Sequence, residues 1–501
     1  MIDTTNRYIP TRCVYETTLA CNLHCRHCGS QAGQARPDEL TTEESASLFA
    51  ELARLGCKKV TLSGGEPLLR QDWPEIIAAA ARTGMKVALI TNGLAFDDDA
   101  ARLARDRGLH HVGFSVDGMG QTHDRIRGRI GHFSQLNLAM AAARNAGISF
   151  TVITHLNQIN RLELPRIYEF VKASGAFSWQ VQPVVNMGNT QDHPELLLRP
   201  RDLVRLEQVL ASLIKRQELR IAVANALGYF GPNERLLRKA SGVPCFRGCS
   251  AGTRAIGIES NGNVKGCLAL MAGYNERGAE FVEGNLRRQS LADIWNAPHA
   301  FAYNREWSIE DLTGFCRECH HAERCRGGCR AMMVAAGHGT ENPMCVFRCQ
   351  SEEHRRTARA GQAAAVVLAT ILGTSPHACY QSSSKDDGGP WDQQDDGGDA
   401  ASQDSGLDAA SDTDTDGDTD TDGDTDTDTD TDIDTDIDTD TDTDTDTDTD
   451  TDTDTDSDTD TDTDSDTDTD IDTDADIDAD GDTDLYDVDM DKAPPRINLK
   501  K

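Results

Sequence analysis

Past Cys379 the chain has no cysteine, and past Lys385 it has no glutamate and only four basic residues. Too few apolar residues remain there to build a hydrophobic core, which excludes a second large globular domain from that stretch. Two further absences bear on where the chain works. The N-terminus "MIDTTNRYIPTRCVYET" lacks the basic-then-apolar order of a secretory signal, so a cytoplasmic location is expected. No run reaches the roughly 18–20 apolar residues of a membrane-spanning helix, so no stable membrane span is expected.

What is present is unevenly shared. Of 85 acidic residues, 48 lie beyond Lys385, and all of those are Asp. The formal charge is about +8 up to Lys385 and −44 after it, so the overall −36 describes neither part. Residues 1–385 carry enough apolar side chains for a large core. All fifteen cysteines lie at or before Cys379, mostly in close-spaced groups. In a secreted chain such groups suggest disulfides; in a cytosolic one they suggest metal or redox chemistry.

Six β-rich stretches alternate with helical patterns through the first 185 residues: "TRCVYETT", "KKVTLS", "MKVALIT", "HHVGFSV", "ISFTVIT" and "WQVQPVV". Helical periodicity fills 42–55, 73–83, 97–107, 134–147 and 160–174. Strand, helix, strand with short polar joints predicts parallel βα units, enough for a partial (β/α)6 TIM-like barrel of the α/β class. Such barrels place chemistry on loops at the C-terminal ends of the strands. The unusual residues fall there: "CNLHCRHC" after the first strand, "SGGEP" after the second, "TNG" after the third, "SVDG" at the end of the fourth and "QPVVNMGN" at the sixth.

Cys21, Cys25 and Cys28 put three thiolates on one short loop. An iron–sulfur cubane usually takes four, so three leave one iron open. A zinc site is the alternative, with His24 or His27 as fourth ligand. CxxxCxxC after strand one and GGE after strand two resemble the radical S-adenosylmethionine enzymes. The resemblance implies that Cys21, Cys25 and Cys28 hold a 4Fe–4S cluster whose open iron is chelated by the methionine end of S-adenosylmethionine. Reductive cleavage then yields a 5′-deoxyadenosyl radical. It also implies that Gly64, Gly65 and Glu66 receive the methionine amine, that Ser115 contacts the ribose and that Arg127 contacts the carboxylate. Glycines let backbone carbonyls approach an ammonium, and a guanidinium fork suits a carboxylate.

A second cysteine field spans 245–349. Cys249-x12-Gly262-x4-Cys267 is followed by Cys316-x2-Cys319-x5-Cys325-x3-Cys329 and then Cys345. This compound spacing resembles the SPASM extension, which implies two auxiliary 4Fe–4S clusters. By that resemblance Cys245, Cys249, Cys267 and Cys329 hold one, and Cys316, Cys319, Cys325 and Cys345 hold the other. Cys349 competes with Cys345 for the last place, and Cys245 with Cys249 is tightly spaced. Cys13 and Cys57 have no cluster spacing and read as small buried residues. Sulfatase-activating relatives carry an acid directly after the cysteine matching Cys267. Here that residue is Leu268, which argues against oxidation of a Ser or Cys side chain to formylglycine.

From Asp412 to Asp484 every even-numbered residue is Asp, mostly alternating with Thr. Repelling charge with nothing to bury predicts a disordered linker. "DTDTDG" resembles the start of a calcium loop, but Gly423 stands where the bidentate Glu belongs. Apolar residues return in "LYDVDMDKAPPRINLKK". Between the two cysteine fields and this tail lies "RRTARAGQAAAVVLATILGTSPHACYQSSS", with a signal-like apolar run from Ala363 to Leu372. It reads as a seam where a lipoprotein-like or precursor-peptide frame joined an enzyme, with Cys379 a relic of a processing site. The expected divisions are 1–220 barrel, 221–355 SPASM domain, 356–384 seam, 385–484 disordered repeat and 485–501 a terminal peptide.

The family mostly modifies ribosomally made peptides, so the expected substrate is a peptide or protein, held in cis if it is the chain's own tail. The expected cofactors are three 4Fe–4S clusters and S-adenosylmethionine. A low-potential donor such as a flavodoxin or ferredoxin is expected, and no nucleic-acid partner. The alternatives are a sulfatase-maturating type of dehydrogenase and an acidic-tailed surface lipoprotein that binds calcium or cationic partners. No general base is identifiable from the sequence.

Overall fold

β-Branched and aliphatic runs become the strands of one ten-stranded sheet. In the computed structural model, residues 8–357 are described apart from 225, 271–279 and 338–339. The seam from residue 358 onward, the Asp/Thr repeat and the terminal peptide lie outside the described residues.

The first seven strands are β1 (Arg12–Thr18), β2 (Lys59–Gly64), β3 (Lys86–Thr91), β4 (His111–Ser115), β5 (Ser149–Leu156), β6 (Ser178–Pro183) and β7 (Ile221–Val223). They pair in sequence order, all parallel. The helices between them are α1 (Thr42–Arg54), α2 (Trp73–Ala81), α3 (Asp98–Asp106), α4 (Gln121–Arg127), α5 (His132–Ala146), α6 (Leu164–Ala173) and α7 (Pro200–Lys215). Local chemistry sets their ends. Thr41 and Glu44 form a reciprocal capping box at the start of α1, satisfying two backbone N–H groups that the helix cannot. Leu48, Phe49 and Leu52 then lie on its buried face. Each such side chain removed from water contributes about 1.5–3 kcal/mol. Trp179 and Val181 on β6 are fully buried in the same core.

The partial (β/α)6 barrel read from the sequence is therefore present, with two additions. β7 extends the parallel sheet past β6, just beyond the division placed at residue 220; three residues are too few to show a period. The cysteine-rich region contributes β8 (Ala255–Ile258), β9 (Asn263–Lys265) and β10 (Gly284–Asn285). β8 pairs in parallel with β1, Arg12 opposite Ala255 through Tyr15 opposite Ile258, and β9 and β10 follow antiparallel. That pairing hydrogen-bonds the cysteine-rich region onto the first barrel strand. It carries Cys249, just before β8, and Cys267, just after β9, to the open side of the barrel. Among the described residues no helix is long and apolar enough to cross a membrane.

Candidate active site

Parallel strands end on one rim, so the loops after β1, β2, β3 and β4 meet. The loop bearing Cys21, Cys25 and Cys28 is braced from three sides. The N–H of Arg26 donates to the Ile126 carbonyl at the end of α4 (2.9 Å). Asn189, after β6, donates from its backbone to Cys28 O (2.9 Å) and from its side chain to Cys25 O (3.0 Å). The GG pair at the end of β2 forms the third side. A Cβ on Gly64 would lie 2.2 Å from Thr18 O, and one on Gly65 2.1 Å from Ala20 O, so only glycine fits against the backbone leading into Cys21. Gly65→Ala should displace that backbone and cost about 1–3 kcal/mol, read as a lower urea midpoint.

Glu66 is fully buried. Its carboxylate accepts from Leu68 N (3.1 Å), Thr91 Oγ1 (2.9 Å) and Asn92 N (2.7 Å). Burial nevertheless pushes its pKa up to about 7. Glu66 thus ties the β2 loop to the β3 loop, a job the GGE pattern alone does not reveal. Ser115 sits buried at the end of β4.

Two residues on, Asp117 organises the site, and the sequence reading missed it. Its carboxylate lies 2.6 Å from Arg127 Nη2 and 3.2 Å from His27 Nε2, and it accepts from His155 N (2.7 Å). Burial would raise its pKa, but the Arg127 and His27 charges outweigh burial and hold the carboxyl well below its ordinary range. Arg127 also reaches Cys25 Sγ (3.8 Å), while its Nε is buried without a hydrogen-bond partner. The only visible signal for Asp117 was "SVDG", which reads equally as a turn. His27, Asp117 and His155 approach closely enough to hold a cation. The Arg127 guanidinium already occupies that charge role beside Asp117, so we assign no metal there.

Among the described residues the cysteines are free thiols, not disulfides. Backbone N–H groups donate to Cys28 Sγ (3.4 Å, from Ala32), Cys316 Sγ (3.4 Å, from Asn342), Cys319 Sγ (3.4 Å, from His321) and Cys345 Sγ (3.5 Å, from Arg348). Such bonds favour thiolates and tune cluster potentials. Burial pushes the Cys25 thiol up to about 11, a proton that metal binding must displace. No three described cysteine or histidine ligand atoms that include a cysteine sulfur lie mutually within 4.8 Å. A tetrahedral zinc with 2.3 Å bonds needs sulfurs about 3.8 Å apart, so the zinc alternative finds no ready-made site.

The auxiliary cysteines fall into two neighbourhoods. Cys249, Cys267 and Cys329 pack around Ala251 and Leu270. Cys316 and Cys319 pack around Leu312 and Met333, and the Cys325 and Cys345 thiols feel both of them. The neighbours of Cys349 are Glu352 and Arg348 instead. Cys245 receives Arg324 Nη1 (3.6 Å). Cys349→Ala should leave the iron content unchanged, whereas Cys345→Ala should remove about four irons per chain. Cys13 and Cys57 are buried near each other in the core.

A cavity of about 200 Å³ opens between the first cysteine loop and the Cys249–Cys267–Cys329 group. Its wall is mostly small and apolar: Gly29, Ala224, Ala251, Ala269 and Ala331. The polar side chains are few, namely Arg12, His27, His155, Gln182 and Ser250, and no carboxylate is among them.

A barrel with a three-cysteine loop on its rim, joined to a cysteine-rich module across a shared cavity, defines a class of iron–sulfur enzymes. Residues 15–171 match the Radical SAM superfamily, and residues 249–320 match the SPASM iron–sulfur cluster-binding domain. The AdoMet-dependent heme synthase of Methanosarcina barkeri is 30% identical over 365 residues, 70% of this chain and 99% of that protein. The PqqA peptide cyclase of Xanthomonas euvesicatoria pv. vesicatoria is 30% identical over 347 residues, 67% of this chain and 87% of that one. In fold the chain is similar to Streptococcus suis SuiB bound to S-adenosylmethionine (TM-score 0.54, 15% identity, 67% of this chain and 76% of that). It is likewise similar to anSMEcpe with bound AdoMet and the Kp18Cys peptide (TM-score 0.54, 16% identity, 68% and 94%). The chain belongs to the radical SAM superfamily and carries the SPASM extension. It is an iron–sulfur enzyme that uses S-adenosylmethionine.

Proposed function

We propose that the chain modifies a ribosomally made peptide or protein, with its cysteines holding three 4Fe–4S clusters. Cys21, Cys25 and Cys28 would hold the first; Cys245, Cys249, Cys267 and Cys329 the second; Cys316, Cys319, Cys325 and Cys345 the third. The fit rests on buried or half-buried free thiols, N–H donors aimed at sulfur and the partnerless Nε of Arg127, a place for a carboxylate. Gly64, Gly65, Glu66, Ser115 and Arg127 would orient S-adenosylmethionine. When bound, that pair of groups supplies reductive cleavage and hydrogen abstraction from the substrate. The chain's own residues do the rest: the Gly64–Gly65 carbonyls orient an ammonium, Arg127 a carboxylate, and the alanine-rich wall excludes water from the reacting centre.

The observation that carries this reading is the cavity. It lies between the first cysteine loop and the Cys249–Cys267–Cys329 group, and its mostly small, apolar wall suits an inserted substrate side chain. Its lack of a carboxylate agrees with Leu268 and disfavours the formylglycine-type dehydrogenase. The peptide we propose is the segment 485–501, kept at high effective concentration by the Asp/Thr repeat. An acidic tail also complements the positive charge of residues 1–385.

A second reading, a tetrapyrrole substrate, is favoured by one observation: the heme synthase relative matches over 99% of its length. Anaerobic incubation of the full chain with S-adenosylmethionine and reductant, alone or with an iron porphyrin, separates the two. A mass change within 485–501 supports the in-cis reading. Active cofactor cleavage with an unmodified tail and a modified porphyrin would replace it.

A further inference from the structure

The cysteine loop has an outer side as well as the side that faces the cavity. His27 and Gly29 line the cavity, whereas His24 is exposed and Arg26 half-exposed on the other side. The turn after α4 adjoins that outer side. A Cβ on Gly128 would lie 2.6 Å from His24 O, and Arg26 N bonds to Ile126 O. The tip of the turn is Arg129-Ile130, and the Ile130 side chain is 97% exposed. Arg125 and Arg129 are exposed, and neither has an ion-pair partner among the described residues. The nearby carboxylate is already committed, since Asp124 accepts from Gly131 N (2.6 Å) and Phe133 N (2.8 Å) at the start of α5. Arg26 has only a loose contact with Glu195 (3.7 Å). The result is an apolar tip flanked by uncommitted guanidinium groups, resting on the backbone of the cluster loop and turned away from the substrate cavity.

We infer that this turn, Arg125 to Ile130 with His24 and Arg26 beside it, is the docking surface for a small acidic one-electron carrier protein. The inference rests on the reading of Cys21, Cys25 and Cys28 as cluster ligands. His24 and Arg26 leave this side of the loop exposed while His27 and Gly29 line the cavity, so a carrier seated here would not compete with a substrate in the cavity. A reduced carrier seated there would give one electron to a cluster held by Cys21, Cys25 and Cys28 and would itself be oxidised by one electron, with no bond between the two proteins formed or broken. Arginine with an exposed aliphatic residue is the composition of a small transient interface, and opposite charge steers the encounter.

The test uses the anaerobic, cluster-loaded full chain and an acidic flavodoxin as the probe. Oxidised flavodoxin is titrated at low and moderate salt, and the affinity of the parent should fall as salt rises. Arg125→Glu/Arg129→Glu should weaken binding by about tenfold or more, and Ile130→Ser by a smaller factor. Bleaching of the cluster by reduced flavodoxin should slow by the same factor, while bleaching by dithionite stays unchanged. Unchanged flavodoxin affinity in the charge-reversed chain overturns the proposal. So does an equal slowing with dithionite, which would place these arginines in the structure of the cluster site. Failure of dithionite to bleach any cluster in the parent would instead sink the cluster assignment.

Discussion

Asp117→Ala should lower the stability of the described core by about 3–5 kcal/mol, because it strands the Arg127 guanidinium and His27 in a buried site. Asp117→Asn keeps the shape and an acceptor but removes the charge, so it should cost less. The sign with pH follows. The Asp117 carboxyl is held below its unfolded value, so its contribution is fully present above the ordinary carboxylate range near pH 4. That contribution is lost as pH falls through the folded value. Urea midpoints for parent and Asp117→Ala should therefore differ most at neutral pH and converge in acid. Equal midpoints at pH 7 would show that Asp117 is not the keystone of the rim. Because Arg127 also touches Cys25, the first cluster should be the one that Asp117→Ala loosens.

The second large effect concerns which auxiliary cysteines act together. Cys325 and Cys329 are four residues apart, yet Cys329 packs with Cys249 and Cys267 while Cys325 adjoins Cys316, Cys319 and Cys345. If each group holds one cubane, Cys249→Ala/Cys329→Ala should lose about four irons, no more than either single change. Cys325→Ala/Cys329→Ala should lose about eight. Iron and sulfide assays with electron paramagnetic resonance after reduction measure both. A double loss that ignores this pairing would regroup the ligands.

Much of this was legible in the chain, for identifiable reasons. The strand periods, the CxxxCxxC loop and the GGE turn are local patterns, and each lies where a parallel barrel collects its loops. Glu66 was legible as a motif member but not in its job, because Thr91 and Asn92 come from another strand. Asp117, Asn189 and the cavity were hidden for the same reason: their partners are distant along the chain and meet only through sheet order. β7 is too short to show a period. The attachment of β8 to β1 could not be read at all, since parallel pairing between residues 12 and 255 leaves no local trace.

The claim beneath every other is that Cys21, Cys25 and Cys28 hold the cluster that cleaves S-adenosylmethionine. The direct measurement is iron content and 5′-deoxyadenosine formation in the reduced, anaerobic full chain, beside Cys21→Ala/Cys25→Ala/Cys28→Ala. The account predicts about 12 irons and cofactor cleavage in the parent, and about eight irons with no cleavage in the triple variant. A colourless zinc protein, or a triple variant that still makes 5′-deoxyadenosine, would contradict it.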